Sequence, residues 1–305
     1  MSQFTIDAIP DQRGRTAVVT GANTGIGFET ARALACRGAR VILACRSAEK
    51  AAAAAEKIRA EPLAGSVECR ELDLSDLESV ARFAAGFAGE PRLDLLINNA
   101  GVMVPPFGRT AQGFELQLGT NHLGHFALAA RLLPQLLLTP ASRLVVVSSA
   151  VHHMGNIHFD DLNYDRRSYS AWQAYAQSKL ANLLFALELD RRLGAANAET
   201  IVTAAHPGWT HTDLQRTAAV ARFFGSALAM RPAGGALPTL CAATAPDACG
   251  GDYYGPGGFM ELAGAPALAR ISPRARDAGV SARLWSESER LVGLRFPTLR
   301  SATAA

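Results

Sequence analysis

The stretch that most constrains this chain is a glycine turn set between a strand and a helix. Arg15, Thr16, Ala17, Val18, Val19 and Thr20 form a short apolar, β-branched run, the composition of a buried parallel strand. It passes straight into Gly21, Ala22, Asn23, Thr24, Gly25, Ile26 and Gly27, and a helical pattern follows from Phe28 to Arg37. Glycines let the chain turn tightly and bring backbone close to a ligand. The free amides and dipole of a helix N-terminus favour a pyrophosphate. Strand, turn and helix in that order are what a dinucleotide site requires. A tight turn that binds nothing uses the same residues, and placement is what favours the site.

The alternation continues along the chain. Beyond residues 15–20, strands are predicted at 39–44, 67–72, 93–97, 143–148, 200–205 and 251–254. Helices fill most of the intervals, including one long pattern over 110–138 broken near Gly113 and Gly119, and another near 233–243. This predicts an α/β fold: a single Rossmann-type, doubly wound domain with a mostly parallel seven-stranded sheet and helices on both faces. At 305 residues, 49% of them hydrophobic, the chain can bury one core of that size. No linker or repeat divides it. Residues 14–213 form the core that carries the motifs, and 214–305 form a substrate-side segment and C-terminal extension, with no clear pattern beyond 259.

Several function classes are excluded. The formal charge is +3 and the basic residues are scattered, as at Arg32, Arg37, Arg40 and Arg46, so no nucleic acid partner is expected. The five cysteines show no C-x-x-C spacing and no histidine at ligand distance, which predicts free thiols and no metal site. The first twelve residues are polar, and the longest apolar runs, 132–138 and 144–147, are too short to cross a bilayer. No membrane anchor and a cytoplasmic location are expected. Ser148, Ser149, His152 and His153 bring Ser-His chemistry to mind, but the G-x-S-x-G elbow is missing and the histidines read as loop or surface residues.

The strand ends carry the candidate chemistry. After the second strand, Cys45 holds the place where an acidic residue would bond the ribose 2′-hydroxyl of NAD, and Arg46 follows it. An arginine there accommodates the 2′-phosphate of NADP, so NADP is preferred, with NAD possible and a merely solvated arginine the alternative. Asp73 either contacts adenine or caps the helix over 76–87, for which Ser75 is the expected N-cap. Asn98, Asn99, Ala100 and Gly101 suit a loop lying against a ligand, although Asn99 has a structural alternative in bonding neighbouring strand ends. Asn121, amid apolar residues, needs internal partners. Tyr175 and Lys179 stand four apart on an amphipathic helix, which places phenol and ammonium side by side. A neighbouring ammonium favours the phenolate, so the pair is a plausible acid/base couple.

With Thr20, Gly21, Gly25 and Gly27, the Asn98 to Gly101 run, Asn121, Ser149, Tyr175, Lys179, Pro207 and Gly208 in this order, the chain resembles the short-chain dehydrogenase/reductase family. Cys45 and Arg46, the histidine pair, the residues from Tyr175 to Asn182 and the long Ser149-to-Tyr175 spacing look most like its retinol-dehydrogenase and WW-domain-oxidoreductase branch. The resemblance implies an oxidoreductase moving a hydride between NADP(H) and the alcohol or carbonyl carbon of an apolar small molecule. Tyr175 would be the acid or base, Lys179 would lower its pKa and hold ribose, Ser149 would bond the substrate oxygen, and Asn121 would help hold a water linking Lys179 to solvent. Gly21, Asn23, Thr24, Gly25, Ile26 and Gly27 would surround the pyrophosphate. Arg46 would meet the 2′-phosphate, Asp73 and Leu74 the adenine, and Asn99, Ala100 and Gly101 the adjoining ribose region. Pro207, Gly208, Thr210 and Thr212 would reach the nicotinamide end. Thr24 departs from the basic residue that many NADP-specific members carry there. The resemblance also allows a homodimer or homotetramer paired through helices over 116–138 and 175–193, unless the tail blocks that surface. A catalytically silent NADP-binding regulator on the same fold, and a C=C reductase resembling protochlorophyllide reductase, are the alternative functions.

Overall fold

In the computed structural model the described residues are 4–210 and 230–298. Eight strands make one sheet in the order β3-β2-β1-β4-β5-β6-β7-β8. They are β1 (Thr16–Thr20), β2 (Arg40–Cys45), β3 (Ser66–Glu71), β4 (Leu95–Asn98), β5 (Arg143–Val147), β6 (Ile201–Ala205), β7 (Tyr253–Pro256) and β8 (Pro266–Leu268). The first seven are parallel, as expected, and β8 adds an antiparallel edge. The expected count of seven is therefore one short. A three-residue strand that begins with proline and is mostly exposed carries no alternation to read.

Side-chain alternation divides the core in two. Ala17, Val19, Val41, Leu43, Leu95 and Ile97 face α1 (Gly25–Cys36), α2 (Ala48–Arg59) and, further along, Ala236 and Leu240 of a helix described below. Val18, Ile42, Leu96, Leu144, Val146 and Val202 face the opposite layer. That layer holds α3 (Leu77–Ala85), α4 (Gly124–Leu137) and α5 (Ala171–Ala195). Burial on both faces is why the strands read as continuous apolar runs. Two further helices follow, α6 (Pro232–Thr244) against α1 and α7 (Ala278–Val292) against α5. Trp285 of α7 packs edge-on at 5.2 Å from Phe126, so α7 lies over the α4–α5 face. None of the described helices is long and apolar enough to cross a membrane.

Three local expectations are corrected. Asp76, not Ser75, caps α3: its carboxylate accepts from the amides of Glu78 at 3.0 Å and Ser79 at 3.3 Å. Ser75 instead donates through both N and Oγ to Asp73 Oδ1, at 2.8 and 2.6 Å. The long helix starts only at Leu116, because Gly113 at φ 86 closes a turn in which the Thr110 amide donates to the Phe114 carbonyl. Its path then widens into a π-turn over Gly119–Leu123, which contains Asn121. His152 is fully buried rather than a surface residue: its Nδ1 donates to the Ser149 carbonyl at 2.8 Å and its Nε2 accepts from the Ser272 amide at 3.2 Å.

Candidate active site

The strand order reverses between β1 and β4, the place where a doubly wound sheet opens a crevice at its carboxyl ends. A cleft of about 310 Å³ lies there. Gly21, Asn23, Thr24, Gly25, Ile26 and Gly27 line it at the N-terminus of α1. Arg46, Asp73 and Leu74 line one end, and Asn99, Ala100, Gly101, Tyr175, Lys179 and Pro207 the other. The turn is closed by contact rather than by composition alone. A Cβ on Gly27 would stand 2.4 Å from Asn99 Nδ2 and 2.5 Å from the Gly21 carbonyl oxygen, so only glycine fits. Gly21, at φ 66, abuts Ala100. Asn99 is anchored too, its Nδ2 donating to the Thr20 carbonyl at 2.8 Å, so it both lines the cleft and bonds a neighbouring strand end.

Tyr175 and Lys179 come from the N-terminal half of α5, whose first turn is capped by Ser170. Both are buried, at 8% and 5% exposure, and Lys179 Nζ lies 5.7 Å from the centre of the Tyr175 ring. The ammonium donates to the Val147 carbonyl at 3.1 Å, and the backbone beneath it is held by Ser148 Oγ donating to the Lys179 carbonyl at 2.7 Å. The expected lowering of the tyrosine pKa is not what the protein itself produces. Burial pushes Tyr175 up to about 12, against a smaller downward pull from a hydrogen bond with the Ser149 side chain. Burial likewise pulls Lys179 down to about 8. Desolvation therefore outweighs the neighbouring charge, and Tyr175 is held as a phenol ready to donate.

Ser149 lies just past the end of β5 and caps the 3-10 turn Ala150–Met154 through a bond from the Val151 amide at 3.2 Å. Asn121 is fully buried behind the cleft. Its Oδ1 accepts from the Val102 amide at 2.8 Å, and its Nδ2 donates to the Val102 carbonyl and Ser178 Oγ, both at 3.0 Å. Gly101 fills the gap between it and the lysine: a Cβ there would meet Asn121 Oδ1 at 3.1 Å and Lys179 Nζ at 3.7 Å. Gly208 and Thr210 sit behind the lining residues. Gly208, at φ 64, packs against the Leu262 carbonyl, and Thr210 Oγ1 donates to the Pro207 carbonyl at 2.8 Å. Thr212 lies outside the described residues.

A dinucleotide fits this donor set. The N-terminal turn of α1 lines the middle of the cleft, a cation stands at one end, and a phenol and an ammonium at the other. Residues 15–221 match the family profile of short chain dehydrogenases. The chain belongs to the short-chain dehydrogenase/reductase family. It is an oxidoreductase acting on CH–OH or C=O groups of small molecules, in a family that binds NAD(P). It is 45% identical to human retinol dehydrogenase 13 over 299 residues, covering 94% of this chain and 87% of that one. A solved structure of an uncharacterized protein from Mycobacterium paratuberculosis shares 47% identity at a TM-score of 0.82, covering 97% of this chain and all (100%) of that one. A short chain dehydrogenase from Shigella flexneri 2a, solved complexed with NADP, shares 28% identity at a TM-score of 0.61, covering 76% of this chain and 92% of that one.

Sequence reading missed several members of the site. Val102, Thr120, Leu72 and Ser148 also line the cleft. His206, just before Pro207, is buried and bonded through Nε2 to Glu261 Oε2 at 3.1 Å, while its Nδ1 accepts from the Gly208 amide at 3.3 Å. The only sequence signal for that latch was a histidine next to a proline and glycine at a strand end. Nothing near residue 261 announced its partner.

Proposed function

We propose that this short-chain dehydrogenase uses NADP(H) to interconvert an apolar alcohol and its carbonyl compound, with Tyr175, Lys179, Ser149 and Asn121 as its catalytic set. The observation that carries the cofactor choice is the cleft rim at the end of β2. Arg46 is exposed there and has no ion pair or hydrogen bond among the described residues, free to meet a 2′-phosphate. Beside it, where an acidic residue would select NAD, Cys45 is a buried thiol pushed up to about 11, chiefly by burial. The NADP bound to the Shigella relative supports the same choice. Support for an apolar substrate comes from Trp172, 37% exposed and edge-on to the Tyr175 ring at 6.5 Å, and from retinol in the names of the curated relatives.

When bound, a nicotinamide cofactor would supply the hydride for reduction of the carbonyl carbon. Tyr175 gives its phenolic proton to the carbonyl oxygen, and Ser149 donates a hydrogen bond to the same oxygen as negative charge builds there. Lys179 would hold the ribose and offset the phenolate left on Tyr175, while Asn121 holds the loop at Val102 in place through both of that residue's backbone groups. Oxidation reverses each proton transfer, with Tyr175 taking the alcohol proton as the base. A cytoplasmic location goes with this proposal, supported by five free cysteines. Pairing through the α4–α5 face would have to include or displace α7, which light scattering on the purified chain reads directly.

The test is a panel of aldehydes, ketones and alcohols with both nicotinamides, followed by absorbance of the reduced cofactor. Turnover of apolar carbonyls with NADPH over NADH is expected. Arg46→Asp should cut NADPH affinity about tenfold to a hundredfold and reverse the preference, the size expected of a charge-assisted contact turned repulsive. An unaltered preference would place the selectivity in another residue. Tight NADPH binding with no turnover across the panel would favour the regulatory alternative, and reduction confined to C=C bonds the other.

A further inference from the structure

His125 lies on α4, fully enclosed, and the hydride-transfer chemistry makes no direct use of it. Its two nitrogens bridge the π-turn at Asn121 and the end of β1. Nδ1 is 2.9 Å from the carbonyl oxygen of Asn121, and Nε2 is 2.9 Å from Thr20 Oγ1 at the end of β1. A carbonyl only accepts, so Nδ1 carries the proton and Nε2 must accept from the threonine hydroxyl. Thr20 Oγ1 is then fully committed. It donates to His125 and accepts from the Asn99 and Ala100 amides, both at 2.9 Å. Burial, together with the nearby Lys179 ammonium, holds His125 neutral, with its pKa at about 4, so this single tautomer persists through the working pH range.

We propose that His125 is a positioning residue that sets two parts of the site at once: the Asn99 and Ala100 loop, through Thr20, and the Asn121 π-turn beside Lys179, through its carbonyl. The proposal rests on the reading that the cleft takes NADP(H). The Asn99 and Ala100 loop lines the cleft where the cofactor's ribose would lie, and the Asn121 carbonyl of the π-turn takes its bond from the His125 side chain. One imidazole thus couples cofactor placement to the proton-transfer end.

The two halves can be separated in the full-length protein. A glutamine at this position keeps a polar group near where Nε2 stood, and an asparagine keeps one near where Nδ1 stood. His125→Gln should hold NADPH within about twofold of the parent dissociation constant, read by cofactor fluorescence, while kcat falls about tenfold. His125→Asn should do the reverse: NADPH affinity falls about fivefold, a modest loss because Thr20 has the Ile97 carbonyl at 3.3 Å as a second acceptor, and kcat is largely kept. In a Thr20→Val background, His125→Asn should weaken NADPH binding no further, since the contact is already gone. If both variants lose affinity and kcat alike, or neither loses either, the imidazole only fills space and the proposal is overturned. If the parent protein binds NADPH but reduces nothing in the panel, the reaction reading fails, while the contrast in NADPH affinity still decides the Thr20 half.

Discussion

The two walls of the cleft are held by different means. On the β1–α1 side, backbone lies against backbone: Gly27 leaves no room for a Cβ beside Asn99 and the Gly21 carbonyl, and Gly21 abuts Ala100. Behind Pro207, which lines the other side, the 257–264 loop is tied down across long sequence distances by a side-chain pair and a backbone bond. His206 reaches Glu261, the Trp209 amide donates to the Leu262 carbonyl at 2.8 Å, and Met260 and Glu261 hold positive φ values of 51 and 57. The first wall tolerates almost no change of residue and is the same wherever a pyrophosphate must approach backbone. The second depends on hydrogen bonds that another residue pair could replace. One wall therefore answers to the cofactor, the other to whatever lies beyond it.

Substitutions can break or sharpen that contrast. The largest effect is expected where the walls meet. Tyr175→Phe should lower kcat by about a thousandfold or more with NADPH affinity nearly unchanged, because the proton donor is lost while the ring stays. Stopped-flow and fluorescence titration read the two quantities separately, and retained turnover would remove Tyr175 from the mechanism. Next is Gly27→Ala. With the nearest atoms fixed in backbone and in an anchored asparagine, overpacking should destabilise the fold by about 1–3 kcal/mol and weaken NADPH binding at least tenfold. Near-parental thermal unfolding and affinity would show that the first wall gives more easily than its geometry implies.

Lys179→Met should abolish activity yet stabilise the protein by about 1–3 kcal/mol at neutral pH, since it removes a buried charge. The sign follows from the shift. The folded value of about 8 lies below the ordinary 10.5, so between those values the unfolded chain binds more protons than the folded one. Stability of the parent should therefore rise with pH through that window, with the penalty fully present below about pH 8, and the variant should lack this slope. Denaturant titrations at pH 7 and 10 check it. The smallest effect is expected at the second wall. Glu261→Ala leaves the His206 Nε2–H without its buried acceptor and should cost about 1–2 kcal/mol, with a raised KM for the carbonyl and little change in NADPH affinity. Glu261→Gln keeps an acceptor and should restore most of both. A loss of NADPH affinity as large as in Gly27→Ala would erase the difference between the walls.

The legible parts of this protein were those fixed by local physics. Continuous apolar strands, the glycine turn and the four-residue spacing of Tyr175 and Lys179 are written into short segments, because each depends on neighbours in sequence: period, turn conformation, one helix face. The fold class followed from them, and most residues lining the cleft from them together with the family resemblance, Leu72, Val102, Thr120 and Ser148 excepted. What tertiary structure decided involves partners far apart in the chain. The short β8 edge strand, the burial of His152 against Ser272, and the His206–Glu261 latch have no local pattern. The charge state of Tyr175 belongs here too: the sequence places an ammonium beside a phenol, but the fold also removes water from both, and at that depth desolvation exceeds the attraction.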